Sequence, residues 1–378
     1  MTQFDYLAER LSVLESRGRL RSLTPRVASG VELTEPSGKR LLNFGGNDYL
    51  GLAADASEQT AACGSGASAL LSGWTADHQL LSQKIASLES SEAAVVFPSG
   101  YAACSGTVAI MAEEGDLILS DQLNHASLID GCRLSRAECV VYSHRDFSAL
   151  QRCLNETRHR YNRVWIVSNT VFGMDGHVAP LNQLVELADR HDACLIVDEA
   201  HATGVLGDDG SGACQALGVK DAIAIRIGTL SKAVGSQGGF VSGPKVMIDY
   251  LINRSRSLIF STSLAPPAVA AAIHGIDRIV EEPQRRERVQ SLSVRVRTAL
   301  GIETSSRLES TVPIIPVVVG RDDRAVALSK QLWECGLYVP AIRPPTVAEG
   351  SARLRISLSA AHDDVMIDRL IETMRSLL

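Results

Sequence analysis

From about residue 80 the chain alternates between short apolar runs and helix-length amphipathic stretches, and this rhythm restricts the fold more than any other feature. The runs are AAVVF (93–97), DLILSD (116–121), CVVYS (139–143), RVWIVSN (163–169), CLIVDEA (194–200) and AIAIRIG (222–228), with stretches such as LNQLVELADRHD (181–192) between them. Strands with no polar face are buried on both sides, and parallel neighbours need a long, usually helical crossover. The pattern predicts an α/β domain on a mostly parallel sheet covered on both faces.

Outside this rhythm, GVELTEPSGKRLLNF (30–44) alternates around a Pro-Ser-Gly turn and predicts a small hairpin. The stretch before it, MTQFDYLAERLSVLESRGRLRSL, is amphipathic and charged throughout, which suits a helix and not a signal peptide. Downstream, APPAVAAAI (265–273) opens a long helix over about 267–300; VPIIPVVVG, another helix and ARLRISLSAAH follow. These read as a smaller α+β domain, so the expected division is 1–44, 45–270 and 271–378.

Of the 378 residues, 45% are apolar and 21% charged, with a net charge of −6, values ordinary for a soluble enzyme. No Lys/Arg block marks a nucleic-acid partner, and no charge-free apolar run reaches the 18 or so residues of a membrane span. The eight cysteines include no C-x-x-C pair. They read as reduced, structural residues of a cytoplasmic protein without a metal site.

The string CLIVDEAH (194–201) also spells the magnesium-binding strand end of a helicase. Such an enzyme needs G-x-x-x-x-G-K-[ST] upstream to cradle phosphates. The one Gly-Lys pair here is Gly38-Lys39, followed by Arg40, with Leu33 where the earlier glycine should stand. A strand-end Asp198 could then hold a metal, pair with a ligand's ring nitrogen, or merely cap the next helix.

Thirty-four residues later AIAIRIG runs into TLSKAVGSQGG (229–239), where Lys232 follows two hydroxyls and precedes three glycines. Burial makes a lysine amine available as a nucleophile, and hydroxyls with glycines suit a phosphate. In VVFPSGYAAC (95–104) a strand end meets a helix start, a natural anion seat. Pyridoxal phosphate (PLP) would use all of these, with a Schiff base on lysine and an Asp on the pyridinium nitrogen. Singly each piece has a plainer reading: Ser99-Gly100 a turn, NHAS (124–127) a helix cap, Lys232 a surface lysine.

Taken together, the motifs resemble the α-oxoamine synthase family of fold-type I PLP-dependent transferases. They are NFGGNDYLGL (43–52), GSGASALLSG (64–73), FPSGYAA (97–103), NHASLIDG (124–131), VFGMDG (171–176), VDEAHATGVLG (197–207), GTLSKAVGSQGG (228–239) and FSTSLAP (260–266). The resemblance implies a large domain with a mostly parallel seven-stranded sheet and a smaller C-terminal α+β domain. It implies that Lys232 holds PLP as a Schiff base and later moves the substrate's Cα proton. Asp198 would pair with the pyridinium nitrogen, His201 approach the phenolic oxygen and His125 stack on the ring. Gly100 and Tyr101 would help seat the cofactor, with Thr229 and Ser231 near its phosphate. Thr262 would reach the phosphate of the other subunit of a homodimer with shared sites.

On the substrate side the resemblance gives Asn47 and Arg355 to the amino-acid carboxylate, and Arg21, Arg343 and Thr346 to the acyl substrate. The tail AIRPPTVAEGSARLRISLSAAH (341–362) resembles the family branch that joins L-alanine to a pimeloyl thioester at the start of biotin-ring assembly. The alternatives are a sister synthase joining glycine to acetyl-CoA, and a silent PLP-binding regulator. Two departures sit on one loop: Gly173 where serine is common, and Ser168-Asn169 where Thr-Glu is usual.

Overall fold

The computed structural model describes residues 5–21, 23–55 and 62–378. Helix α1 (Asp5–Ser16) precedes a meander of β1 (Val27–Ser29), β2 (Glu32–Thr34) and β3 (Arg40–Asn43). The first four residues of the expected N-terminal helical stretch, and Ser22, lie outside the described residues. The expected hairpin is β2–β3. Its turn holds Gly38 at φ +82°, a conformation that costs glycine little.

The main body follows as α2 (Ala76–Leu88), β4 (Ala93–Phe97), α3 (Gly100–Met111), β5 (Leu117–Asp121) and α4 (Ala126–Leu134). Then come β6 (Glu138–Tyr142), β7 (Val164–Asn169), β8 (Cys194–Asp198), β9 (Ile225–Thr229) and β10 (Gly239–Gly243). These strands form one seven-stranded sheet in the order β4-β10-β9-β8-β7-β5-β6. Every pairing is parallel except the two made by β10. Six of the strands are the apolar runs of the sequence. The seventh, GFVSG, is bounded by glycines and carries no run of its own; its link to β9 is too short for a crossover, so it returns antiparallel.

The continuous apolarity of the runs has a direct cause. Leu117, Leu119, Ile166, Leu195 and Val197 belong to one buried cluster, while Ile118, Trp165, Val167 and Ile196 belong to another. Alternate residues point to opposite faces, and helices cover both.

The helix expected over 267–300 is two helices, Pro266–Glu281 and Pro283–Leu300. Pro283 lacks an N–H and opens the second helix, where none is needed. Beyond it β11 (Ile314–Gly320), β12 (Leu337–Tyr338), β13 (Ala341–Ile342) and β14 (Ala352–Ser357) appear. The order β11-β14-β13 makes a small antiparallel sheet, whereas β12 pairs in parallel with β3 through Leu337↔Leu42. The N-terminal meander is therefore completed by the C-terminal part of the chain. The division at 44 and 270 stands as our proposal; helix Pro266–Glu281 runs through its second boundary.

Among the described residues no helix is long and apolar enough to cross a membrane. The strand order reverses at β5, with β6 on one side and β7, β8 and β9 on the other. Open α/β sheets bind ligands outside the carboxyl ends of strands at such a reversal. Asn169, Asp198 and Thr229 end three neighbouring strands there.

Candidate active site

Asp198 closes β8 and is 3% exposed. Its Oδ1 accepts the Ala200 N–H at 2.9 Å and its Oδ2 accepts Asn169 Nδ2 at 2.9 Å. The plainer reading of a capping aspartate is thus half right: one oxygen ties the local turn, and no regular helix follows directly. The neighbouring Glu199 faces away from this chemistry. It accepts Thr170 Oγ1 at 2.7 Å and the N–H groups of Ala213 and Cys214 at 3.0 and 2.8 Å, anchoring the 213–216 turn.

Lys232 lies in the loop between β9 and β10. Burial, and to a lesser degree Arg355, lower its pKa from 10.5 to about 8 against the opposing pull of Asp198. Its Nζ stands 2.9 Å from His201 Nε2, and His201 Nδ1 stands 2.7 Å from the Tyr49 hydroxyl. Burial first, then the charges of Lys232 and Arg355, push His201 well below its usual range, so its imidazole is neutral at physiological pH. Tyr49, fully buried, also donates to Asn47 Oδ1 at 3.1 Å. Arg355 Nη2 donates to the same oxygen at 3.0 Å. An arginine only donates, so the Asn47 oxygen faces it and the amide NH2 is left for another acceptor.

Arg355 is held in turn. It lies on β14, donates through Nε to the Gly173 carbonyl at 2.6 Å and through Nη1 to Ser357 Oγ at 2.7 Å. Arg353, two residues before it, bonds Asp175. The small sheet thereby grips the 173–175 loop.

His125 caps α4, accepting the Ser127 N–H, and its own N–H donates to Asn169 Oδ1 at 2.8 Å. The plainer reading of NHAS as a helix cap therefore holds. Burial lowers its pKa, with Asp198 pulling the other way. The Tyr101 ring meets it edge-on at 6.3 Å between centroids, and the Tyr101 hydroxyl bonds Asp130.

The expected phosphate seat is where α3 begins. Ser99 caps the helix by accepting the Ala102 N–H at 3.1 Å. A Cβ on Gly100 would stand 3.1 Å from Thr229 Oγ1, so the helix start abuts the end of β9. Thr229 and Ser231 both donate to the Gly238 carbonyl, at 3.0 and 3.1 Å, and fold the lysine loop back on itself. Gly235 of this loop sits at φ +75° with a Cβ position 2.6 Å from the Leu52 carbonyl carbon, a place only glycine fills easily.

The remaining expected residues form other groups. Arg21 Nη2 bonds Thr346 Oγ1 at 3.1 Å, and Arg343 bonds the Gly18 carbonyl. They make one cluster between the N-terminal segment and the 343–346 loop, apart from the partners of Lys232. A cavity of about 750 Å³ adjoins it, bordered by Arg17, Gly18, Lys330 and Glu349. Thr262 is exposed and bridges to Ser68, outside the contacts of Lys232.

Two site residues escaped sequence reasoning. Tyr49 was visible in NDYL, where a buried tyrosine implies a partner for its hydroxyl. Cys104, among the cysteines taken as structural, lies beside Asp198; burial above all, and that carboxylate next, raise its thiol pKa. The donor set fits PLP: an enclosed amine of lowered pKa, a strand-end carboxylate, an imidazole at a helix cap, and a helix N-terminus against a threonine hydroxyl.

The model of the family described as aminotransferase class I and II matches residues 39–374. An 8-amino-7-oxononanoate synthase of Anaeromyxobacter dehalogenans (strain 2CP-1) is 42% identical over 99% of this chain and 96% of its own. The 8-amino-7-oxononanoate synthase 2 of Bacillus subtilis (strain 168) is 44% identical over 98% of this chain and 97% of its own. A solved serine palmitoyltransferase variant from S. paucimobilis, with bound PLP–myriocin aldimine, superposes with a TM-score of 0.91. That structure is 28% identical, with 99% of this chain and 97% of that one covered.

Proposed function

The chain belongs to the class I and II aminotransferase family, and from that premise we propose that it condenses L-alanine with a pimeloyl thioester. The products are 8-amino-7-oxononanoate, CO2 and the free thiol, a step of biotin biosynthesis. Near-full-length relatives above 40% identity carry the name of that synthase. The observation that carries the chemistry is the unbroken line Lys232–His201–Tyr49–Asn47–Arg355, with Asp198 beside the lysine.

When bound, PLP supplies an aldehyde for an amine and a ring that accepts electrons from the adjacent carbon. Lys232 would hold that aldehyde at rest, Asp198 the ring nitrogen, His125 a ring face, and the α3 start with Thr229 and Ser231 the phosphate. His201 would serve the phenolic oxygen.

Each residue then has a definite task. A lysine of pKa about 8 is neutral in about a tenth of molecules at pH 7, against under a thousandth for an ordinary one. Its neutral amine would take the Cα proton of the amino acid. The fork of Arg355 and the free NH2 of Asn47 orient the substrate carboxylate, which departs as CO2 after the carbon–carbon bond forms and the thiol leaves. His201 can offer either a lone pair or an N–H at Nε2. The choice follows whether Tyr49 donates to Asn47 or to His201 Nδ1.

Arg21, Arg343 and Thr346 would face the acyl chain, and Thr262 would complete the phosphate site of a second copy in a homodimer. A cytoplasmic setting suits this reading. An assay crossing alanine, glycine and serine with pimeloyl-, acetyl- and palmitoyl-thioesters tests it. Alanine with the pimeloyl thioester should turn over fastest; a faster reaction of glycine with acetyl-CoA would overturn the assignment.

A further inference from the structure

We propose that Asn169 is the positioning residue that aims Asp198 at the cofactor's ring nitrogen and registers it with His125, an inference that rests on the PLP reading above. Asn169 ends β7 directly opposite Asp198, its register partner on β8. Cross-strand partners place their side chains on one face. The amide is used at both ends: Oδ1 accepts the His125 N–H at 2.8 Å, and Nδ2 donates to Asp198 Oδ2 at 2.9 Å. A backbone N–H can only donate, so the oxygen must face His125 and the NH2 must face Asp198. The amide has one orientation.

Its anchorage runs deeper. The Asn169 N–H donates to Asn124 Oδ1 at 3.0 Å, and Asn124 Nδ2 donates to Ser120 Oγ and the Val167 carbonyl at 2.9 and 2.8 Å. A line of amides therefore reaches from β5 across β7 to the Asp198 carboxylate. The Ala200 N–H holds the other oxygen, so the carboxylate is tied at both ends and cannot swivel. The remaining titratable groups facing it are Cys104 on α3, His125 at the start of α4 and Lys232 after β9.

Position 169 is where the sequence resemblance leads one to expect glutamate. A glutamate would set a second carboxylate against Asp198, and the two could bond only by sharing a proton. Asparagine donates without that condition. One side chain thus aligns the carboxylate under the ring nitrogen and the backbone that carries the stacking imidazole.

The test is PLP titration of cofactor-stripped wild type, Asn169→Asp and Asn169→Ala. Equilibrium dialysis and the absorption spectrum are read at neutral and mildly acidic pH. The Asp variant keeps the size and the acceptor for His125 but loses the donor. Relative to wild type, its affinity should fall about 10- to 100-fold at neutral pH, the scale of a lost bond to a charged group. It should recover toward wild type in acid, where the carboxylates share a proton. The Ala variant should be weakened at both pH values. Wild-type affinity and spectrum for Asn169→Asp at both pH values would overturn the inference alone. Failure of the wild type to bind PLP would remove the cofactor reading and this inference together.

Discussion

Gly173 and His201 compete for one volume: a Cβ built on Gly173 would stand 2.3 Å from His201 Nε2. The imidazole has no easy retreat, because Tyr49 holds one nitrogen and Lys232 the other. The missing serine of the sequence is therefore a space taken by the ring, with the Gly173 carbonyl still bonded to Arg355.

Gly173→Ser should accordingly overpack the site. The expected cost is about 1–3 kcal/mol of stability in the cofactor-free protein, read from the urea midpoint at unchanged slope. Turnover should fall as His201 is displaced from Lys232. A variant with wild-type midpoint and wild-type turnover would show that the ring moves freely.

Lys232 makes stability depend on pH in a specific window. Its folded pKa is about 8 and its ordinary value 10.5, so below pH 8 the amine is protonated folded or unfolded and its burial is a constant penalty. Between about 8 and 10.5 the unfolded chain binds more protons, and stability rises with pH. Cofactor-free wild type should gain about 1–3 kcal/mol across that window relative to Lys232→Ala. The variant should also lose the covalent cofactor and at least about three orders of magnitude in turnover. Parallel pH–stability curves for the two proteins would contradict the lowered pKa.

Tyr49→Phe removes one hydroxyl shared by His201 and Asn47. Either nitrogen role of His201 then loses its buried partner, at a cost of about 1–3 kcal/mol. The amino-acid KM should rise less than kcat falls, because Arg355 still meets Asn47 at 3.0 Å. Chemical denaturation and steady-state kinetics check both parts; a rise in KM alone would place Tyr49 on the binding side only.

Much of this site was legible because strand ends carry it. Asp198, Lys232 and the Ser99-Gly100 turn follow apolar runs, and parallel sheets bring such ends to one edge. The partnership of Asn169 with Asp198 was not legible, since it depends on which strands are neighbours and in what register. Residue spacing alone does not reveal that. The partner of Tyr49 was hidden for the same reason, since His201 lies 152 residues away. Strand β10 carried too little apolar pattern to read, whereas Pro283, which opens the second of two helices, stands in the sequence as a signal for the break. The cluster of Arg21, Arg343 and Thr346 did come together, in its own place.

The parallel pairing of β3 with β12 bears on how the protein is made. Leu42 waits for Leu337, about 300 residues later in synthesis, while the strands of the large sheet emerge in between and can already collapse on one another. Until then β3 offers an unpaired edge to the surrounding solvent, where another nascent chain could add to it. Residues 337–338 act as the closing stitch, and shortening the chain ahead of them would leave that edge permanently open.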